Sequence, residues 1–301
     1  MNIYVIERFN IMAKAYILYN PLANSGNGAD ILPDLDAFIN DEKVTCDMTS
    51  VNYKDIINSM GDDDYIVICG GDGTLNRFVN AVDCDNIAQD VLYYASGTGN
   101  DFATDLGKKR CDAPFSIKKY LTGLPSVTVN GNTYKFINGV GYGIDGYCCE
   151  EGDNLRASGA TSINYTSIAI KGLLGKYKPT GGSIIVDGVE HKYKKIWIAP
   201  TMHGRFYGGG MNATPAQNRE NGEGILSVMS FHDSSKLKTL MIFPNIFKGE
   251  HVKKTKNVSV FTGKEITVKF DAPRALQIDG ETILGVTEYT AIGTKVPAVV
   301  K

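Results

Sequence analysis

The segment Ile66-Val67-Ile68-Cys69-Gly70-Gly71-Asp72-Gly73-Thr74-Leu75-Asn76 joins an apolar run to three glycines, one carboxylate and a helix start. Glycines at such a turn let backbone N–H groups approach a ligand with no side chain in the way. The helix opening at Thr74 adds the positive end of its dipole, so the turn suits phosphate oxygens. Asp72 beside phosphates is repulsive unless a cation or a proton transfer is involved. The chemistry implied is phosphoryl transfer.

Two other loops have the same character. Asn20-Pro21-Leu22-Ala23-Asn24-Ser25-Gly26-Asn27-Gly28 offers Ser25, Gly26 and Gly28 to a phosphate edge, or forms an ordinary turn and helix cap. It is neither a Walker A motif, lacking Gly-Lys-Ser/Thr, nor the G-x-G-x-x-G of dinucleotide folds. Ala95-Ser96-Gly97-Thr98-Gly99-Asn100-Asp101-Phe102-Ala103 again sets glycines, hydroxyls and an acid at a helix start. Asp101 by itself reads as an N-cap. Asp145 lies in the glycine-rich Gly141-Tyr142-Gly143-Ile144-Asp145, and Gln277-Ile278-Asp279-Gly280-Glu281 places two acids astride a glycine. Asp-Gly is most simply a β-hairpin turn.

These loops need a scaffold that brings them together. Ala15 to Tyr19, Tyr65 to Cys69 and Val91 to Tyr94 read as buried strands, and Ile31 to Ile39, Tyr53 to Met60 and Thr74 to Val82 carry helical spacing. Alternation of this kind predicts a parallel sheet with helices on both faces and ligands at the strand carboxyl ends. From about Leu124 the texture changes to short, turn-bounded strands: Ser126 to Val129, Tyr134 to Ile137, Ser183 to Val186, Lys194 to Ala199, Ile225 to Ser230, Val258 to Phe261 and Glu265 to Phe270. That is an antiparallel region, read as a sandwich. Helical insertions are expected at Tyr165 to Lys176 and Leu237 to Phe247. The fold class is therefore α/β plus all-β: a Rossmann-like nucleotide-binding domain over 12–124 and a β-sandwich domain over 125–286, with a cleft between them.

Composition narrows the function. A net charge of −2 over 301 residues gives no sign of a nucleic-acid partner. No apolar run reaches the roughly 20 residues that span a bilayer. Met1 to Ile11 has no basic start, long apolar stretch or cleavage site, so no signal peptide is expected. Met12 stands just before the first strand, and residues 1–11 read as an extension or tag remnant. Six cysteines without C-x-x-C spacing read as free thiols of a cytoplasmic protein. His191, His203, His232 and His251 lack the pairing of a zinc helix.

Taken together, the loops resemble bacterial lipid kinases of the diacylglycerol kinase catalytic family, from about Lys14 to the end. The motifs occur in order: Asn20-Pro21 with Ser25-Gly26-Asn27-Gly28, Gly70-Gly71-Asp72-Gly73-Thr74, and Gly97-Thr98-Gly99-Asn100-Asp101-Phe102-Ala103. Then follow Gly208-Gly209-Gly210-Met211 with Ala213-Thr214-Pro215-Ala216, and Asp279-Gly280-Glu281. The GGDGT element is shared with NAD kinases and sphingosine kinases; the GTGNDFA element and the later GGGM run point to the lipid branch. The resemblance implies that ATP lies on Asn20, Ser25, Gly26, Gly28, Gly70, Gly71, Gly73, Thr74, Gly97, Thr98 and Asn100. It implies that Asp72, Asp101 and Asp145 organise Mg²⁺ through water, and that the last segment, 287–301, returns to the first domain. Glu281 of the Asp279-Gly280-Glu281 motif resembles the general base; Asp72 competes for that role.

Two positions depart from the family pattern. Arg77 stands where the family usually has Glu, and Glu223 replaces the Asp of an Asp-Gly-x-Leu element that helps bind a structural Mg²⁺. The expected partner is a lipid at a membrane surface, reached by peripheral contact, and the family implies a homodimer. Leu237, Leu240, Met241, Phe243 and Phe247, followed by Lys248, Lys253, Lys254 and Lys256, suit anionic lipid or, more simply, packing on their own domain. The expected activity is ATP-dependent phosphorylation of a lipid hydroxyl, most simply that of diacylglycerol. A kinase of a soluble substrate such as NAD and a non-catalytic nucleotide or lipid sensor are the alternatives.

Overall fold

The computed structural model describes residues 13–160, 163–175 and 177–295; the expectation for residues 1–11 lies outside them. Apolar strands of the first third form a sheet of β1 (Lys14–Tyr19), β2 (Glu42–Asp47), β3 (Tyr65–Gly70), β4 (Asp90–Ala95) and β5 (Phe115–Ser116), in the order β2-β1-β3-β4-β5. The first four are parallel, and β5 runs antiparallel to β4. Ala15 to Leu18 and Ile66 to Cys69 are buried because both faces are covered. Ile66, Ile68, Leu75 and Phe78 pack on one face; Ala15, Ile17, Leu35 and Val67 pack on the other. The helices are α1 (Ala23–Gly26), α2 (Tyr53–Ser59), α3 (Asp72–Ala81), α4 (Asp101–Asp105) and α5 (Lys118–Leu121).

Two local expectations change. The helix expected over Ile31 to Ile39 is a 3-10 turn at Pro33–Ala37, where the proline removes an interior N–H donor. β2 is an edge strand of mostly polar residues with only Cys46 buried, which is why no apolar run announces it. Its position matters for the site. The chain leaves β1 toward β2 on one side and leaves β3 toward β4 on the other. The carboxyl ends of β1 and β3 therefore flank the point where strand order reverses, the place where open α/β sheets bind ligands.

The second half supplies β6 (Ser126–Val129), β7 (Asn132–Lys135), β8 (Gly139–Tyr142), β9 (Thr180–Val186), β10 (Val189–Ile198), β11 (Thr201–Met202), β12 (Phe206–Tyr207), β13 (Met211–Asn212), β14 (Leu226–His232), β15 (Val258–Gly263), β16 (Glu265–Ile278) and β17 (Glu281–Ile292). All but the β12–β13 pair belong to one antiparallel sheet. Long β16 pairs with β17 on one edge; on the other it takes β9 along its first half and β8 along its last. The sheet thereby folds back on itself, sandwich-like, around Val140, Tyr142, Ile184, Ile196, Val228, Ile266 and Leu276. Residues 287–292, expected to return to the first domain, run in β17 against β16 and β6 of this second sheet, and 296–301 lie outside the described residues. Beside the sheet lie the α-helices α6 (Ile144–Ala157), α7 (Tyr165–Leu174) and α8 (Lys236–Ile242). Among the described residues no helix is long and apolar enough to cross a membrane.

Candidate active site

A cleft of about 1070 Å³ opens where the carboxyl ends of β1, β3 and β4 meet the second sheet. Its floor is glycine because backbones touch there. A Cβ on Gly97 would lie 2.3 Å from the Cα of Gly71, so the loops after β3 and β4 can meet only without side chains. The Gly70 carbonyl fastens them, accepting from the N–H of Ser96 (3.0 Å) and Gly97 (3.2 Å) and from the Tyr93 hydroxyl (3.1 Å). Asn20, Gly28, Gly70, Gly71, Gly73, Thr74, Gly97 and Thr98 all reach the cleft wall. Gly26 is exposed, and the side chain of Ser25 lies outside the described set. Asn100 stands behind the wall in a left-handed conformation (φ 48°), its amide donating to the carbonyl of Gly97 (2.6 Å).

The acids form a chain across the domain boundary. Asp72, in the first turn of α3, accepts from the N–H groups of Asp101 (2.7 Å) and Phe102 (2.9 Å), capping α4, and from the Asn138 amide (3.0 Å). Asp101 in turn accepts from the N–H groups of Gly209 (2.8 Å) and Gly210 (2.7 Å) in the glycine run of the second domain. Asp145, in the first turn of α6, accepts from the Gln277 amide (2.9 Å). Burial and then the charge of Asp72 push the Asp101 carboxyl up to about 7, against the pull of the Gly209 and Gly210 N–H groups. Burial alone pushes Asp145 up to about 7, opposed by Gln277. Asp72, Asp101 and Asp145 all border the cleft.

The Asp145 value has a measurable consequence. The unfolded carboxyl loses its proton near 3.8 and the folded one near 7. Between those values the folded state binds more protons, so its stability falls as pH rises. Asp145→Asn removes that loss, since the amide oxygen still accepts from Gln277. Thermal unfolding should show little change in Tm at about pH 3.5, below the unfolded value, and a gain of at least about 3 °C at pH 8. Equal shifts at both pH values would refute the buried charge.

The other expected site residues separate by their partners. Asp279 takes four donors: the Asn76 amide (2.8 Å) and the N–H groups of Ile137 (2.6 Å), Asn138 (2.9 Å) and Gly139 (3.0 Å). Burial raises its pKa, and these N–H groups oppose the shift. Saturated in this way, Asp279 holds the β16–β17 turn in place and has no free lone pair for a proton. Glu281, the first residue after that turn, is exposed on the cleft wall and receives no hydrogen bond among the described residues. Glu223 does not border the cleft; it lies near Lys295 (3.4 Å) and Lys264 (3.8 Å), which balance its charge. Arg77 is exposed on the cleft rim.

Several contributors carry no local signal. Arg219 is buried and donates to Asp105 (2.5 Å), to the Ile137 carbonyl (3.2 Å) and to Asn138 Oδ1 (3.0 Å), so it sets the amide that holds Asp72. Tyr207 is buried on the cleft wall, its hydroxyl without a hydrogen-bond partner among the described residues. Beyond the acids the wall turns apolar, with Ile144, Ile163, Ala169, Met211, Phe243 and Phe247.

Comparison with known proteins agrees with this layout. Residues 14–128 match the diacylglycerol kinase catalytic domain, and residues 138–301 match the YegS C-terminal NAD kinase beta sandwich-like domain. A diacylglycerol kinase of Mycobacterium tuberculosis is 25% identical over 218 residues, 70% of this chain and 67% of its own. YtlR of Bacillus subtilis, by name a candidate lipid kinase, is 24% identical over 251 residues, 78% of this chain and 79% of its own. A crystal structure of a diacylglycerol kinase from Bacillus anthracis superposes with a TM-score of 0.60 at 17% identity, covering 96% of this chain and 98% of that one.

Proposed function

This chain belongs to the diacylglycerol kinase catalytic-domain family of lipid kinases, and from that premise we propose that it transfers the γ-phosphate of ATP to a lipid hydroxyl, most simply that of diacylglycerol. The observation that carries the reading is the continuity of one cleft from a glycine floor to an apolar wall. The floor offers N–H groups to phosphates; the wall offers an acyl chain a place out of water. A soluble acceptor such as NAD would have no use for that wall.

Phosphoryl transfer has a loose transition state, so alignment and charge neutralisation do most of the work. The glycine loops align the phosphates. Glu281, unencumbered on the wall, takes the proton of the attacking hydroxyl. Asp72 is less available for that task, because three N–H donors already occupy its oxygens. Asp72, Asp101 and Asp145 fit a hydrated Mg²⁺: they face one cleft, and the two raised carboxyls gain from a nearby cation. No three acids among the described residues are close enough to ligate an ion directly, so these would hold it through water. When bound, the ion neutralises phosphate charge.

The test is transfer of labelled γ-phosphate with Mg²⁺ to a micellar panel of diacylglycerol, monoacylglycerol, phosphatidylglycerol, a sphingoid base and a polyprenol, with NAD as soluble control. A labelled lipid, with diacylglycerol fastest, is the expected result. Labelled NADP would overturn the lipid reading, and bound ATP with no product would make the protein a sensor.

A further inference from the structure

The strand pair β12–β13 spans the change from acids to apolar wall in the cleft. Tyr207 and Met211 face each other in the pair, and the chain turns between them through Gly208, Gly209 and Gly210, all at positive φ. At that turn the N–H groups of Gly209 and Gly210 hold the Asp101 carboxylate (2.8 and 2.7 Å). At its base Tyr207 and Met211 belong to one apolar cluster with Ile144 and Cys148, and all four border the cleft. One hairpin thus touches the acids at its tip and the apolar wall at its stem. Tyr207 stands at the change-over: a Cβ on Gly208, the next residue, would lie 3.8 Å from Oδ1 of Asp145.

The Tyr207 side chain is 2% exposed, and its hydroxyl has no hydrogen-bond partner among the described residues. A buried hydroxyl in that state costs stability unless a ligand supplies the partner. A phenol keeps its proton at neutral pH, and burial followed by the Asp145 charge raises its pKa further, so the group is a donor. Its partner must then be an acceptor. A phosphate oxygen suits the place poorly, since Asp101 and Asp145 stand nearby and apolar side chains surround it; a neutral carbonyl oxygen suits both surroundings. In an acylglycerol the ester carbonyl lies between the hydroxyl end and the acyl chain, which is the order of the cleft from acids to apolar wall. We propose that Tyr207 is a specificity-determining residue whose hydroxyl donates to an ester carbonyl of the acceptor, selecting O-acyl lipids over acceptors without an ester. The assignment rests on the lipid-kinase reading and narrows it, because a sphingoid base or a polyprenol brings no ester to this position.

Two lipids that differ only at the ester test the assignment: dioctanoylglycerol and its dioctyl ether analogue, each in mixed micelles with ATP and Mg²⁺. Wild type should prefer the diester by about tenfold in kcat/KM, mainly through KM. Tyr207→Phe should bring that ratio to within about twofold of one, by weakening the diester. A tyrosine that only supported the fold would lower both lipids together and leave the ratio where it was. The same pair titrated without ATP reads the preference in binding, independently of turnover. Without lipid the variant should melt no lower than wild type, since the hydroxyl it removes has no partner among the described residues. A wild-type ratio near one, a ratio that Tyr207→Phe does not move, or a fall in Tm of more than about 4 °C would each overturn the proposal. So would a failure to bind either lipid. Preferential diester binding that Tyr207→Phe removes, with no phosphate transferred, would support the role of Tyr207 and sink the kinase reading.

Discussion

Glu281→Gln should lower kcat by about 10²–10⁴-fold while leaving ATP affinity within about twofold, as expected for loss of a general base. The argument is one of availability. Of the acids on the cleft, Glu281 receives no hydrogen bond among the described residues, whereas Asp72 takes three donors and Asp279 takes four. A carboxylate whose oxygens already accept several N–H groups has fewer lone pairs left to take a proton from a hydroxyl. Glu281 also stands on a turn that Asp279 fixes, so its position is set while its oxygens stay free. Steady-state kinetics with a fluorescent nucleotide titration would check both halves. Turnover within threefold of wild type would move the base elsewhere, with Asp72 first in line.

Asp72→Asn should abolish turnover to at least about 10³-fold below wild type and cost about 2–4 kcal/mol of stability. Its two oxygens serve the Asp101 N–H, the Phe102 N–H and the Asn138 amide at once. An asparagine has a single acceptor oxygen, so its NH₂ group must face one of these donors. That leaves a backbone N–H of α4 or the Asn138 amide unpaired, and the displacement passes to Asp101 and the glycines it holds. Urea unfolding beside single-turnover kinetics would show the double loss. An inactive variant of unchanged stability would reduce Asp72 to a purely chemical role.

The glycine loops were legible because each is a local motif at the end of an apolar strand, and a buried parallel strand is announced by its own residues. β2 was not, since an edge strand reading Glu-Lys-Val-Thr-Cys-Asp buries one side chain. Nor was α6, whose start is a glycine turn and whose run is interrupted by Gly146 and Gly152. Gly146 is required there by contact with a distant strand: a Cβ would lie 1.9 Å from the carbonyl oxygen of Ala275. Among site residues, Asn138, Arg219, Tyr207 and Gln277 carry no signal of their own. Arg219 reads as one more surface charge until Asp105, 114 residues away, is placed against it. Glu223 shows the reverse case, a carboxylate in a suggestive sequence position that the fold sets among lysines. For Asp279 the ordinary hairpin reading of Asp-Gly describes its backbone, and four long-range donors describe its side chain.

The acids along the boundary also join the halves of the molecule: Asp101 holds Gly209 and Gly210, Asp105 holds Arg205 and Arg219, and Asp279 holds Asn76. Selection for folding alone would therefore keep them in a descendant that had stopped turning over substrate. Their survival in such a lineage would record that the two halves still close, not that the reaction still runs. The Glu281 side chain makes no hydrogen bond or ion pair among the described residues and would drift as soon as catalysis ceased to matter. Within this lineage, position 281 is the one whose decay would separate living enzymes from retired ones.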